Sequence, residues 1–176
     1  NVYEGQKIDE DFEKLKEVSF DEYLKMIMGK TSALIAYPLA IGAVLSGAEQ
    51  ADVEAMFNFG VSLGIAFQMQ DDYLDVYGDP ATFGKTIGGD ILNDKKTWLH
   101  IIAKDKAKGK IEALSALEGE EKIKAVTALY DSLSLREQGK KLIEKYTQDA
   151  IEYLNATSMD QEAKDWFISF SNSLIG

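Results

Sequence analysis

Phe67-Gln68-Met69-Gln70-Asp71-Asp72-Tyr73-Leu74-Asp75 places three carboxylates within five residues, inside an apolar segment that reads as one long helix. On a helix Asp71 and Asp75 stand four apart, one above the other, and Asp72 lies about 100° round from Asp71. Like charges this close repel each other, and more strongly when partly buried. The run also falls near the C-terminal end of its helix, where the dipole disfavours anions. A hard divalent cation would compensate. Mg²⁺ held by few carboxylates completes its shell with water and phosphate oxygens.

Standing alone, this pattern is better explained as a solvated helix end. Its neighbours shift the balance: Gly84-Lys85, Gly88-Gly89-Asp90 and Lys95-Lys96-Thr97 follow it, and Lys30-Thr31 precedes it. Carboxylates for a metal, several lysines and glycine turns together describe a magnesium diphosphate site.

Outward from that stretch, a helix is predicted from about Gln50 to Tyr77, spanning roughly 40 Å at about 1.5 Å per residue. Val53, Met56, Phe57, Gly60, Leu63, Gly64, Phe67 and Leu74 keep three- and four-residue spacing, so one face is core. Gly60 and Gly64 leave room for a close helix neighbour. Upstream, a polar helix from Gly5 to about Glu17 precedes a short helix from Phe20 to about Met28. Ser19 and Glu22 form a capping box for the second of these. Gly29-Lys30-Thr31 reads as a break. From Thr31 to Ala48 there is no charge for 18 residues, which touches the length of a membrane span. Pro38, Gly42, Gly47 and many small residues favour a buried core helix instead, and no transmembrane segment is expected.

Downstream, Gly78-Asp79-Pro80 ends the long helix and a glycine-rich loop runs to Gly89. A helix is predicted from about Asp90, its possible N-cap, to Lys106, with Trp98, Ile101 and Ile102 as core. Four more amphipathic helices are read at Ile111–Leu117, Glu121–Leu133, Arg136–Ala156 and Asp160–Leu174. No useful length alternates with period two, so an all-α fold without sheet is predicted. No repeat, linker or domain boundary is visible.

The 176 residues suffice for one domain with a sizeable core. A net charge of −11 argues against nucleic-acid binding, so an anionic substrate must meet local lysines or metal. With no Cys there is no disulfide framework.

Gly5-Gln6-Lys7-Ile8-Asp9, Lys30-Thr31, Phe67 to Asp75, Gly84-Lys85-Thr86-Ile87-Gly88-Gly89-Asp90 and Ile91-Leu92-Asn93-Asp94-Lys95-Lys96-Thr97 resemble the motifs of trans-isoprenyl diphosphate synthases. This polyprenyl synthetase family includes farnesyl and geranylgeranyl diphosphate synthases. The motifs cover roughly the first hundred residues in the family's order and spacing. The resemblance implies an all-helical isoprenoid-synthase bundle around a central cavity, in a cytoplasmic homodimer. It implies short- to medium-chain prenyl transfer from an allylic diphosphate to isopentenyl diphosphate, with Mg²⁺ as cofactor and Mn²⁺ a possible substitute.

Carried over by motif, Asp71 is expected as a direct Mg²⁺ ligand, with Asp72 and Asp75 completing or supporting the metal site. Lys30, Lys85 and Lys95 are expected to contact diphosphate, and Lys96 to face solvent. Thr31 and Gln68 would set oxygen dipoles near the carbocation, and Phe67 would pack against isopentenyl diphosphate. Gln6 is expected near substrate, with Asp9 and Asp90 in support behind the site. The family's first aspartate motif and its early basic residues are missing. The chain is therefore expected to be the C-terminal half of the synthase, inactive alone, and product length cannot be read from it. Two alternatives stand beside this reading: a class I terpene cyclase, and a non-catalytic subunit regulating a partner synthase.

Overall fold

The computed structural model describes residues 2–12, 15, 17–79 and 87–175. Among them every regular element is helical and no strand occurs. In chain order these are α1 (Val2–Phe12), α2 (Phe20–Ile27), a π-helical turn (Met28–Ser32), α3 (Ala33–Leu45), α4 (Gln50–Tyr77), α5 (Gly89–Leu92), α6 (Trp98–Lys106), α7 (Lys110–Leu114), α8 (Gly119–Ser132), α9 (Leu135–Asn155) and α10 (Gln161–Ile175).

The predicted capping box starts α2: Ser19 N–H donates to Glu22 Oε2 at 2.8 Å, and Glu22 N–H donates to Ser19 Oγ at 3.2 Å. The expected break at Gly29-Lys30-Thr31 is instead a π turn, which joins α2 to α3 without leaving the helix. Met28 keeps α-helical backbone angles and its N–H still bonds to Leu24 C=O, so glycine there does not end the run. Single π turns widen a helix locally and recur at functional sites.

α4 runs from Gln50 to Tyr77, as the spacing predicts, and α2, the π turn, α3, α5, α6, α9 and α10 pack against it. α3 lies on one side and α9 on another, which is why α4 is buried on more than one face. A Cβ on Gly60 would come within 2.5 Å of Ala36 Cα, and one on Gly64 within 2.5 Å of Ser32 Cα. These two glycines let α3 and the π turn touch α4 backbone to backbone. Gly64→Ala is expected to destabilise the fold by at least about 1–3 kcal/mol, because the obstacle is main chain rather than a flexible side chain. Urea unfolding checks it; an unchanged midpoint would contradict the packing.

Two apolar clusters flank α4. One gathers Tyr23, Ile27, Met69, Trp98, Leu99 and Ile143; the other joins Met56, Phe59 and Leu63 to Ala150 and Leu154. α3 departs from the expected buried core helix. Ala33 and Ala36 are buried against α4, but Leu34, Tyr37, Ile41 and Val44 stand 53–62% exposed along one stripe. Tyr37 meets the Phe57 ring of α4 edge-on at 5.4 Å, and the stripe is otherwise open among the described residues. The helical run Phe20–Leu45 is long and apolar enough by length and composition to cross a membrane, and its inner face packs on α4.

The helix predicted from Asp90 to Lys106 is two helices. α5 ends at Leu92, Asp94 takes a left-handed φ of 50°, and Thr97 caps α6 by accepting from His100 N–H at 3.3 Å. Asp tolerates that conformation better than most residues. Asp90 is not an N-cap; it lies in the first turn of α5, behind Gly88.

Candidate functional site

The π turn, the C-terminal half of α4 and the loop between α5 and α6 enclose a cavity of about 410 Å³. Asp9, Tyr23, Lys30, Gln68, Asp72, Lys95 and Lys96 are among the residues lining it. Each arrives from a different local device. The π turn presents Lys30, whose Nζ bonds Asp9 Oδ2 of α1 at 2.6 Å. It also presents Thr31, whose Oγ1 donates to Gln68 Oε1 at 3.1 Å. The break after α5 turns Lys95 inward, 3.3 Å from Asp90 Oδ2 and 3.7 Å from Asp72 Oδ1.

Asp72 is only 1% exposed. Its Oδ2 accepts from Tyr23 Oη at 2.6 Å and its Oδ1 from Gln68 Nε2 at 3.0 Å. Burial raises its carboxyl to about 6, against the charge of Lys95 and the Tyr23 hydrogen bond, which pull it down. Burial also raises the Tyr23 hydroxyl well above its ordinary value, and the charge of Asp72 adds to this. For Lys95 burial acts downward, but the carboxylates of Asp72 and Asp90 outweigh it and the amine ends above its usual value. Asp75 accepts from Asp90 N–H at 3.0 Å. Burial raises its carboxyl, the Asp90 N–H opposes this, and the charges of Asp90 and Asp71 raise it further.

The three aspartates expected at a metal sit in different surroundings. Among the described residues no three Asp, Glu or His side chains converge as a metal-holding group. Both oxygens of Asp72 accept from protein donors inside the fold, and its side chain still lines the cavity. Asp71 and Asp75 are half-buried and one turn apart at the C-terminal end of α4, with Asp90 against Asp75. The charges of Asp71 and Asp90 disfavour that of Asp75, a repulsion that a hard cation sharing phosphate oxygens would relieve.

Other expectations resolve as follows. Gln6 stands exposed and donates to Glu10 on its own helix, outside the cavity lining. Phe67 is half-buried and also outside that lining. Lys96, expected in solvent, lines the cavity, its Nζ donating to Asp94 C=O at 3.0 Å. Lys85 lies outside the described residues.

Residues 1–133 match a family model described as polyprenyl synthetase. The chain belongs to the polyprenyl synthetase family. It is 35% identical to a short chain isoprenyl diphosphate synthase of Methanothermobacter thermautotrophicus over 90% of this chain and 46% of that one. The fold superimposes on a crystal structure of a geranylgeranyl pyrophosphate synthase with a TM-score of 0.91 and 37% identity, over 99% of this chain and 57% of that one. A geranylgeranyl pyrophosphate synthase from Corynebacterium glutamicum, complexed with isoprenyl diphosphate and magnesium, matches with a TM-score of 0.88 and 28% identity, over 99% and 51%. The chain spans about half the length of the curated relatives it matches.

Two further residues support this site of the polyprenyl synthetase chain, and no motif marks either of them. Tyr23 lies seven residues before Lys30, a spacing that puts both on one helix face, yet it reads as core filler until Asp72 is seen opposite it. Lys122 of α8 is 4% exposed, and its Nζ clamps Asp94 Oδ2 at 2.8 Å and Leu92 C=O at 3.3 Å. That clamp holds the bend which aims Lys95.

The single histidine packs behind this loop, and burial, then the charge of Lys96, lowers His100 from 6.5 to about 4. It stays neutral in the fold while the unfolded chain protonates near 6.5. Its contribution is full above pH 6.5 and is lost as pH falls through 4, on the order of 3 kcal/mol. Asp72 acts oppositely, favouring the fold as pH drops from 6 towards 3.8. His100→Gln should therefore lose less stability than the parent between pH 6.5 and 4. Urea midpoints across that range check it, and parallel curves would contradict it.

Proposed function

We propose that this chain supplies the C-terminal half of a Mg²⁺-dependent active site that joins isopentenyl diphosphate to an allylic diphosphate. The observation that carries this is the convergence of Lys30, Lys95 and Lys96 with Gln68 and Asp72 on one cavity, Thr31 bonded to Gln68 behind it and Asp71 and Asp75 on the same stretch of α4. The allylic C–O bond breaks, and its electron pair leaves with diphosphate. The double bond of isopentenyl diphosphate attacks the resulting carbocation and forms the new C–C bond. A proton then passes from the former isopentenyl unit to the released pyrophosphate.

Lys30 and Lys95, each held by a carboxylate, receive the negative charge that grows on the leaving group. The oxygens of Thr31 and Gln68 turn the negative end of their dipoles towards the cation. Asp71 and Asp75 would hold Mg²⁺, which supplies Lewis-acid stabilisation of the diphosphate.

The other half of the site, with a first aspartate motif, would come from the part of the family fold that this chain does not span. The exposed apolar stripe Leu34-Tyr37-Ile41-Val44 supports a further helical layer there. A homodimer and a cytoplasmic location, as the family suggests, belong to the same reading. Incubation of the full-length protein with radiolabelled isopentenyl diphosphate, an allylic diphosphate and Mg²⁺ tests it. Prenyl elongation is expected. A cyclised terpene, or no product, would overturn it in favour of a cyclase or a non-catalytic subunit.

A further inference from the structure

We propose that Tyr23 is a positioning residue: through Asp72 it fixes which end of the Gln68 amide faces the cavity. The functional value of this rests on the transferase reading; the geometry does not. An ionised carboxylate can only accept hydrogen bonds. Asp72 has two such bonds, from Tyr23 Oη and from Gln68 Nε2. The Gln68 group facing it must therefore be the NH₂. That choice turns Gln68 Oε1 towards Thr31, which donates to it. A single chain of hydrogen bonds then runs from α2 through α4 to the π turn, and its direction is set at Asp72.

The amide oxygen and nitrogen are close to interchangeable in shape, and only their partners, Asp72 and Thr31, tell them apart. The hydroxyl matters because Asp72 has a competing attraction. Lys95 Nζ lies 3.7 Å from Oδ1, the oxygen that Gln68 uses. Tyr23 holds Oδ2, so the carboxylate cannot swing towards Lys95 and release Gln68. Tyr23 is 1% exposed and Asp72 equally buried, so water does not replace either partner. The pair thus places an amide oxygen, not an amide NH₂, beside Thr31, on a glutamine that lines the cavity. If the site handles a carbocation, that orientation stabilises it and the reverse one repels it.

The test is ¹⁵N–¹H spectroscopy of side-chain carboxamides on this chain without substrate, with Gln68 assigned from its absence in Gln68→Ala. In the parent one Gln68 NH₂ pair should exchange slowly with water. Tyr23→Phe should speed that exchange by about tenfold or more, since a hydrogen bond to a charged group is lost. Asp72→Asn should shift the pair to a new position, because the carboxamide it introduces can donate to a reversed Gln68 amide. The Trp98 indole resonance reports whether each variant keeps the fold, and Asp72→Asn serves if Tyr23→Phe does not. Unchanged Gln68 exchange and shift in a folded variant would overturn the inference and return Tyr23 to simple packing. In the full-length protein, Tyr23→Phe should lower kcat with KM for the allylic diphosphate and the Mg²⁺ requirement unchanged. A weakened Mg²⁺ requirement instead would overturn it by assigning Asp72 to the metal. Because the spectra need no substrate, they stand whether or not the transferase reading does.

Discussion

Asp71→Ala in the full-length protein is expected to lower kcat by about 10²–10³-fold, roughly 3–4 kcal/mol, while KM for the allylic diphosphate changes far less. The expectation follows from where charge grows. In the bound substrate the bridging oxygen is shared with carbon; in the transition state its electrons move onto diphosphate. In the proposed reaction a cation held by Asp71 would meet more charge in the transition state than in the ground state, so the interaction would be differential. Asp72 already accepts from Tyr23 and Gln68, one hydrogen bond on each oxygen. Tyr73→Phe is the matched control: it is on the same helix, 9% exposed, with its ring on Tyr77 at 4.9 Å rather than in the cavity. It should be nearly silent. Steady-state kinetics decide between them, and an Asp71→Ala enzyme with most of its kcat would refute the assignment.

Trp98→Ala is expected to cost about 3–5 kcal/mol of stability. Trp98 is fully buried, its Nε1–H donates to Met69 C=O at 3.2 Å, and its ring fills the space beside Gly139, where a Cβ would lie 2.6 Å from it. One side chain thereby ties α6 to α4 and α9. Removing it leaves a void between three helices whose main chains cannot all close in. Thermal unfolding should fall by roughly 10 °C for a chain of this size. A fall of only a degree or two would mean that the helices pack without it.

Much of this arrangement is legible in the residues themselves. The spacing from Val53 to Leu74 sets α4, because apolar periodicity over many turns has few other solutions. Ser19 and Glu22 announce α2 by a local mechanism that needs no tertiary contact. What escapes is whatever depends on the third dimension. Gly29 looks like a helix stop, yet a widened turn packed against α4 keeps the helix intact and re-aims Lys30 and Thr31. Asn93-Asp94 and Thr97 carried turn and cap chemistry, but the apolar pattern around Trp98 drew one helix through them. Asp71 and Asp72 are neighbours about 100° apart, so composition cannot say which one turns inward. Lys122 looks like one charge in a solvated run, and only its closeness to Asp94 makes it a clamp. The uncharged run after Thr31 implied burial, while one stripe of that surface stays largely open among the described residues.

Pyrophosphate binding by calorimetry, with and without Mg²⁺, tests most directly whether the cavity beside Asp71 is one side of a magnesium diphosphate site. Mg²⁺ alone should bind weakly, since one set of carboxylates leaves most of its shell to water, and should bind more tightly once pyrophosphate supplies further oxygens. Asp71→Ala should abolish that gain. Equal Mg²⁺ affinity with and without pyrophosphate, or a gain that survives Asp71→Ala, would contradict it.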